Sequence, residues 1–193
     1  MISTRTQWIV GSIFGAVIIV GLLAADGLFS KTLTVVSPIS HASSQISTFG
    51  PPTRTELIAE EDGTQILDIV AEPLYVDVRI PVFFDEAEVR FSLGNLPWPV
   101  AQKARIGVEY GQGSGHIRFF ETTMPVRRSD PPGSDTELVA VIPVGEVPTP
   151  GNRMRVVLSL PDFPTDQRAV LQDFRVTARR TTLFAALRHR LGL

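Results

Sequence analysis

The chain changes its hydrophobic pattern once, near residue 26. Residues 6–25, within "TQWIVGSIFGAVIIVGLLAADG", form an apolar run of 20 positions with no charged side chain. As a helix rising 1.5 Å per residue it spans roughly 30 Å, the thickness of a bilayer's hydrocarbon core. Beyond it the period shortens to two. In "LYVDVRI", Leu74, Val76, Val78 and Ile80 alternate with Tyr75, Asp77 and Arg79. The same alternation recurs at Val89/Phe91/Leu93, Ile106/Val108/Tyr110, Ile117/Phe119, Leu138/Ala140/Ile142, Val156/Leu158/Leu160 and Phe174/Val176/Ala178. One apolar face per strand describes sheets that bury one side and wet the other. About nine strands are expected, near 56–61, 65–71, 74–80, 87–93, 103–110, 116–121, 137–142, 154–160 and 169–178. Asp62-Gly63 and "GQGSG" (111–115) supply hairpin connections. All 15 prolines lie between Pro38 and Pro164, a load that short strands and turns carry and helices do not.

These patterns predict a mainly β chain: an antiparallel two-sheet β-sandwich, jelly-roll-like. An N-terminal transmembrane helix precedes it and a short amphipathic C-terminal helix follows. The expected organisation is a cytoplasmic stub and membrane helix over 1–30, a Ser/Thr/Pro-rich linker over 31–54, the sandwich over 55–178 and a basic tail over 179–193. As flexible coil, the 18 residues from 37 to 54 reach about 23 Å.

The N-terminal run is expected to be a retained signal anchor. A cleaved leader has a shorter core and a small-x-small site, whereas Ala24 and Ala25 here are adjacent; a buried soluble helix is the third alternative. Arg5 before the run weakly favours a cytoplasmic N-terminus and an extracytoplasmic sandwich at the cell membrane. Gly11 and Gly15 form a G-x-x-x-G, which permits close pairing of two such helices and hence a homo-dimer.

Charge narrows the function. The net charge of −2 hides an acidic body: residues 55–178 carry 11 Lys/Arg against 19 Asp/Glu, while 179–193 carry four Arg and no acid. An acidic body lacks the basic footprint of a nucleic-acid surface. The absence of cysteine excludes disulfides, thiolate metal sites and cysteine nucleophiles. In the tail, Leu183, Phe184, Leu187 and Leu191 share one helical face, with Arg188, His189 and Arg190 elsewhere. Such a helix can lie on an anionic membrane surface, dock on the sandwich or a partner, or fray.

The stretch "AEPLYVDVRIPVFFDEAEVRF" (71–91), with "ARIGVEY" and "HIRFF" after it, resembles the core of galactose-binding-like jelly-roll modules over roughly 65–178. The resemblance implies binding of glycans or proteins through one end of the sandwich; it is a likeness of fold pattern, not of motif.

Catalytic signatures are weak. "GQGSG" is not the G-x-S-x-G elbow, because Gln112 stands where the first glycine belongs. His41, His116 and His189 have no partner at metal-ligand spacing. Glu60/Glu61/Asp62 and Asp85/Glu86/Glu88 are candidate glycosidase carboxylates, indistinguishable from a solvated surface. Asp130, Asp135 and Glu137 are a candidate calcium loop; no other cofactor is suggested. For ligand or partner contact the candidates are aromatic: Trp98, held between Pro97 and Pro99 and otherwise a plug for the end of the sandwich, with Tyr75 and Tyr110. The expectation is a non-enzymatic binding or assembly module in a cell-envelope complex. A carbohydrate-binding module is the alternative, and a glycoside-modifying enzyme the third.

Overall fold

The structure is a computed structural model. It describes residues 15–21, 32–37, 39, 41–59, 65–81, 84–110, 115–123, 126–127, 136–147 and 149–180. Among these, eleven strands build two sheets. They are β1 (Thr32–Val36), β2 (Thr55–Ala59), β3 (Gln65–Ile69), β4 (Leu74–Arg79), β5 (Glu86–Gly94), β6 (Arg105–Glu109), β7 (Ile117–Phe120), β8 (Val126–Arg127), β9 (Thr136–Pro143), β10 (Arg153–Ser159) and β11 (Ala169–Arg179). The larger sheet runs β2-β3-β11-β5-β9-β8, with β1 also on β11; the smaller runs β4-β10-β6-β7. Neighbours such as β5 and β11 or β4 and β10 are antiparallel. All nine expected strands are present, and β1 and β8 are additional.

The alternation sets the core. Ala87, Val89, Phe91 and Leu93 on β5 and Leu171, Phe174, Val176 and Ala178 on β11 turn inward from the larger sheet. Leu74, Val76 and Val78 on β4 and Met154, Val156 and Leu158 on β10 meet them from the smaller one. Phe174 touches Phe91 at 4.7 Å between ring centroids and Phe49 edge-on at 5.4 Å. Each such side chain taken from water contributes about 1.5–3 kcal/mol. The inward spacing on β11 is broken by one residue between Leu171 and Phe174. The register with β5 shifts between Leu171 and Asp173, a bulge that accommodates Gln172.

Two expectations are corrected. First, the stretch expected as a loose linker is part of the sandwich. Ile46 and Phe49 are buried in the core, as is Val35 of β1. Ile46 bridges Val78 and Gly50 bridges Tyr75, so residues 45–50 run as a strap along the otherwise free edge of β4. Backbone bonds from Ser47 N to Asp77 O (2.9 Å), Tyr75 N to Gly50 O (2.8 Å) and Arg79 N to Gln45 O (2.7 Å) hold it. The physical reason is edge satisfaction: an open strand edge leaves N–H and C=O groups unpaired, and the strap pairs them. Second, β7 is out of phase with the expected Ile117/Phe119 face. Phe120 packs against the core, whereas Phe119 is 38% exposed. "IRFF" offers an apolar residue in either phase, and pairing with β6 selects Phe120, opposite Ile106.

The compact unit Leu33–Arg179 holds this sandwich. Outside it, residues 15–21 are helical, with Val17, Ile18, Ile19 and Val20 exposed. No helix among the described residues is long and apolar enough to cross a membrane. The rest of the expected anchor, Gly11 included, and the tail with Leu183, Phe184, Leu187, Arg188 and Arg190 lie outside the described residues.

Candidate functional site

The outer face of the smaller sheet carries the residues that alternate against the core. β4 presents Tyr75, Asp77 and Arg79, and β10 presents Arg153 and Arg155. Register sets them side by side: Val157 opposite Tyr75, Arg155 opposite Asp77, Arg153 opposite Arg79. The strap rises beside β4 as a wall. Between wall and sheet lies an open groove of about 300 Å³ lined by Ser47, Thr48, Gly50, Pro51, Tyr75, Asp77 and Arg155.

Arg155 organises the floor. Its Nε donates to Asp77 Oδ1 at 2.7 Å and its Nη2 to Asp77 Oδ2 at 3.2 Å, a two-pronged pairing. Its Nη1 reaches Glu109 Oε2 at 3.2 Å, and Glu109, buried on β6, also accepts from Gly115 N. The hydrogen bond and charge of Asp77, then those of Glu109, raise the guanidinium's pKa above its ordinary value against the opposing effect of burial. It stays charged at every accessible pH. Ser47 Oγ accepts from Asp77 N at 2.8 Å, tying the wall to the floor. Beside this lattice of donors and acceptors Tyr75 supplies a half-buried ring. An aromatic face next to fixed polar groups can stack on a flat apolar surface while hydrogen-bonding its polar rim.

The groove continues along the strap. A cleft of about 200 Å³ is lined by residues 42–47 with Asp77, Arg79 and Arg153. A further hollow of about 410 Å³ lies against Ser44, Gln45, Arg79, Pro81 and Asn152.

The structure separates the three expected aromatics. Of them, Tyr75 alone lines the groove. Trp98 sits on the single helical turn Trp98–Ala101 after β5, half-buried against the core. Tyr110 packs against the core beyond β6; its hydroxyl donates to Glu146 O at 3.2 Å and accepts from Arg118 Nη1 at 3.2 Å. Arg118 also pairs with Glu146 and lies 5.2 Å from the Phe120 ring centre, so Tyr110 belongs to a structural cluster. Of the calcium candidates, Glu137 lies on β9, where Arg90 donates to it. Asp130 and Asp135 lie outside the described residues, as do Glu60, Glu61 and Asp62. No group of three or more His, Asp or Glu among the described residues is placed to hold a metal ion. Glu88 pairs with Arg90 and Arg179 on the larger sheet. Sequence reasoning missed Arg155, Glu109 and the strap. Alternation does place Asp77 and Arg155 on outward positions, but their pairing across 78 residues is set by strand order alone.

No protein-family model matches the chain, and no curated protein matches it. Among solved structures, a carbohydrate-binding module described for specific mannan recognition, TmCBM27, aligns at 11% identity over 79% of this chain and 100% of its own, with a TM-score of 0.37. The K1 cleaved adhesin domain of Lys-gingipain from Porphyromonas gingivalis W83 aligns at 10% identity over 80% and 93%, with a TM-score of 0.34. TmCBM61, solved with β-1,4-galactotriose, aligns at 12% identity over 78% and 86%, with a TM-score of 0.27. At these scores the likenesses carry no argument about a ligand. The two antiparallel sheets and the groove stand on this chain's own geometry.

Proposed function

We propose that this chain is a non-enzymatic binding module that takes a saccharide in the groove on the outer face of its smaller sheet. The observation that carries the proposal is the groove's make-up: the Tyr75 ring beside the Asp77–Arg155–Glu109 array, walled by the hydroxyl-bearing strap. A pyranose has an apolar face and a rim of hydroxyls. The ring suits the face, and charged groups fixed by one another suit the rim. Two of the solved structures above are described as mannan-recognising and galactotriose-bound, the same ligand class, but the proposal rests on the groove. The module is held at the cell membrane, sandwich outward, by residues 6–25. The uncharged run and the exposed apolar side chains on the helical stretch 15–21 support this part of the reading. Extraction of intact chain by carbonate washing of vesicles would contradict it.

The full chain in detergent micelles should bind a subset of a glycan array. Tyr75→Ala should weaken that binding about tenfold or more, with the melting temperature nearly unchanged. An array with no hit overturns the saccharide reading. A second reading, docking of an envelope protein, is favoured by edge strand β2, whose Leu57 is 49% exposed. An added strand could pair there. Crosslinking in intact membranes from a residue on β2, set against one in the groove, separates the two.

A further inference from the structure

Arg79 and Arg153 face each other across β4 and β10, and both are exposed. Like charges directly opposite on a sheet repel, and in a body of net charge −8 acids are in excess. The one carboxylate in their cleft, Asp77, is taken up on both oxygens by Arg155. Neither Arg79 nor Arg153 has an acidic partner among the described residues, whereas Arg90, Arg118, Arg155, Arg168, Arg175 and Arg179 all do. Arg54 and Arg105 also lack one, but Arg54 donates to Pro73 O and Arg105 lies over the Phe119 ring. The cleft also holds Ser44 and Gln45, and Asn152 borders the adjoining hollow. We infer that Arg79 and Arg153 form an oxyanion subsite at the end of the groove, and that the saccharide bound there is acidic, bearing a carboxylate or sulfate. Two guanidinium forks lining one cleft can each donate paired N–H bonds to the oxygens of such a group. The subsite continues the groove past Asp77, so a chain whose neutral unit lies on Tyr75 can place its charged unit between the two arginines. This inference rests on the saccharide reading and names the ligand's class.

The test compares a galacturonic-acid oligosaccharide with its methyl ester, which keeps the sugar and removes the charge, using the full chain in detergent micelles. The free acid should bind about tenfold or more tightly than the ester at low salt. R79Q/R153Q should close that gap by weakening binding of the free acid to about the level of the ester. Because both side chains are exposed, the double variant should melt no lower than the parent. About 0.5 M salt should also narrow the gap in the unmutated chain, which needs no variant to fold. Equal binding of acid and ester overturns this inference alone, as does a gap that survives R79Q/R153Q. If neither form binds, this inference falls for uronates, while the saccharide reading stands or falls by the glycan array; binding of the ester alone leaves that reading standing and removes the acidic subsite.

Discussion

The two sheets wear different outer faces. On the larger sheet, charge is cancelled locally. Arg90 lies between Glu88 and Glu137, Arg179 reaches Glu88, and Arg175 pairs with Asp173. The Arg90 guanidinium is raised above its ordinary pKa by its bond to Glu88 and then by Glu137, against desolvation. This is a solvated ladder whose charges satisfy one another. On the smaller sheet Asp77, Glu109 and Arg155 form an equally closed set, but beside it stand an aromatic ring, a wall of backbone and hydroxyls, and two arginines facing each other. The contrast teaches that charge alone does not mark a site. What sets the smaller sheet apart is a ring and charge without an acidic partner next to a concave surface.

The comparison can be broken or sharpened by substitution. The largest effect is expected at Phe174, which both sheets share through Phe91 and Phe49. Phe174→Ala should cost about 3–5 kcal/mol in denaturant unfolding and erase both faces together; a loss below about 1 kcal/mol would mean the rings are not packed as described. Ile46→Ala acts on one face. Ile46 is the strap's own residue buried in the core, so the change should cost about 2–4 kcal/mol and make the groove's wall more open to proteolysis. A neutral effect would restore the expectation of a loose linker. Gly107→Ala strikes the middle of the smaller sheet. An added Cβ there would stand 2.8 Å from the backbone oxygen of Arg118 and 2.9 Å from Phe119. A loss of about 1–3 kcal/mol is expected, with the charged ladder on the other sheet unaffected by chemical-shift comparison. Smallest is Arg175→Ala on the ladder. As an exposed pair with Asp173 at 3.3 Å, it should change stability by no more than about 0.5 kcal/mol and leave saccharide binding untouched.

Much of the fold was legible because alternation is a local signal. Seven of the nine expected strands follow from side chains two apart, and except on β7 their inward members lie in or against the core; the first two are set off by the Asp62-Gly63 turn. The strap was not legible, since "SPISHASSQISTFGPP" sets isolated apolar residues, such as the buried Ile46 and Phe49, among Ser and Pro. Its attachment comes from backbone bonds to β4, and backbone polarity is the same in every sequence. The site was legible in part. Tyr75 was a candidate, and Asp77, Arg79, Arg153 and Arg155 all occupy outward positions of alternating strands. Their convergence depends on β4 lying next to β10, which is a property of strand order. Trp98 was the more conspicuous candidate because it is the one Trp outside the N-terminal run, yet its ring packs against the core.

The central claim is that recognition happens on the smaller sheet, between strap and Tyr75. Isotope-labelled full chain titrated with an oligosaccharide from the array tests it most directly. The account predicts amide shift changes concentrated at residues 45–51, 75–79 and 153–155. Changes gathered instead around Trp98, or along β2 and the ladder of β5 and β11, would contradict it.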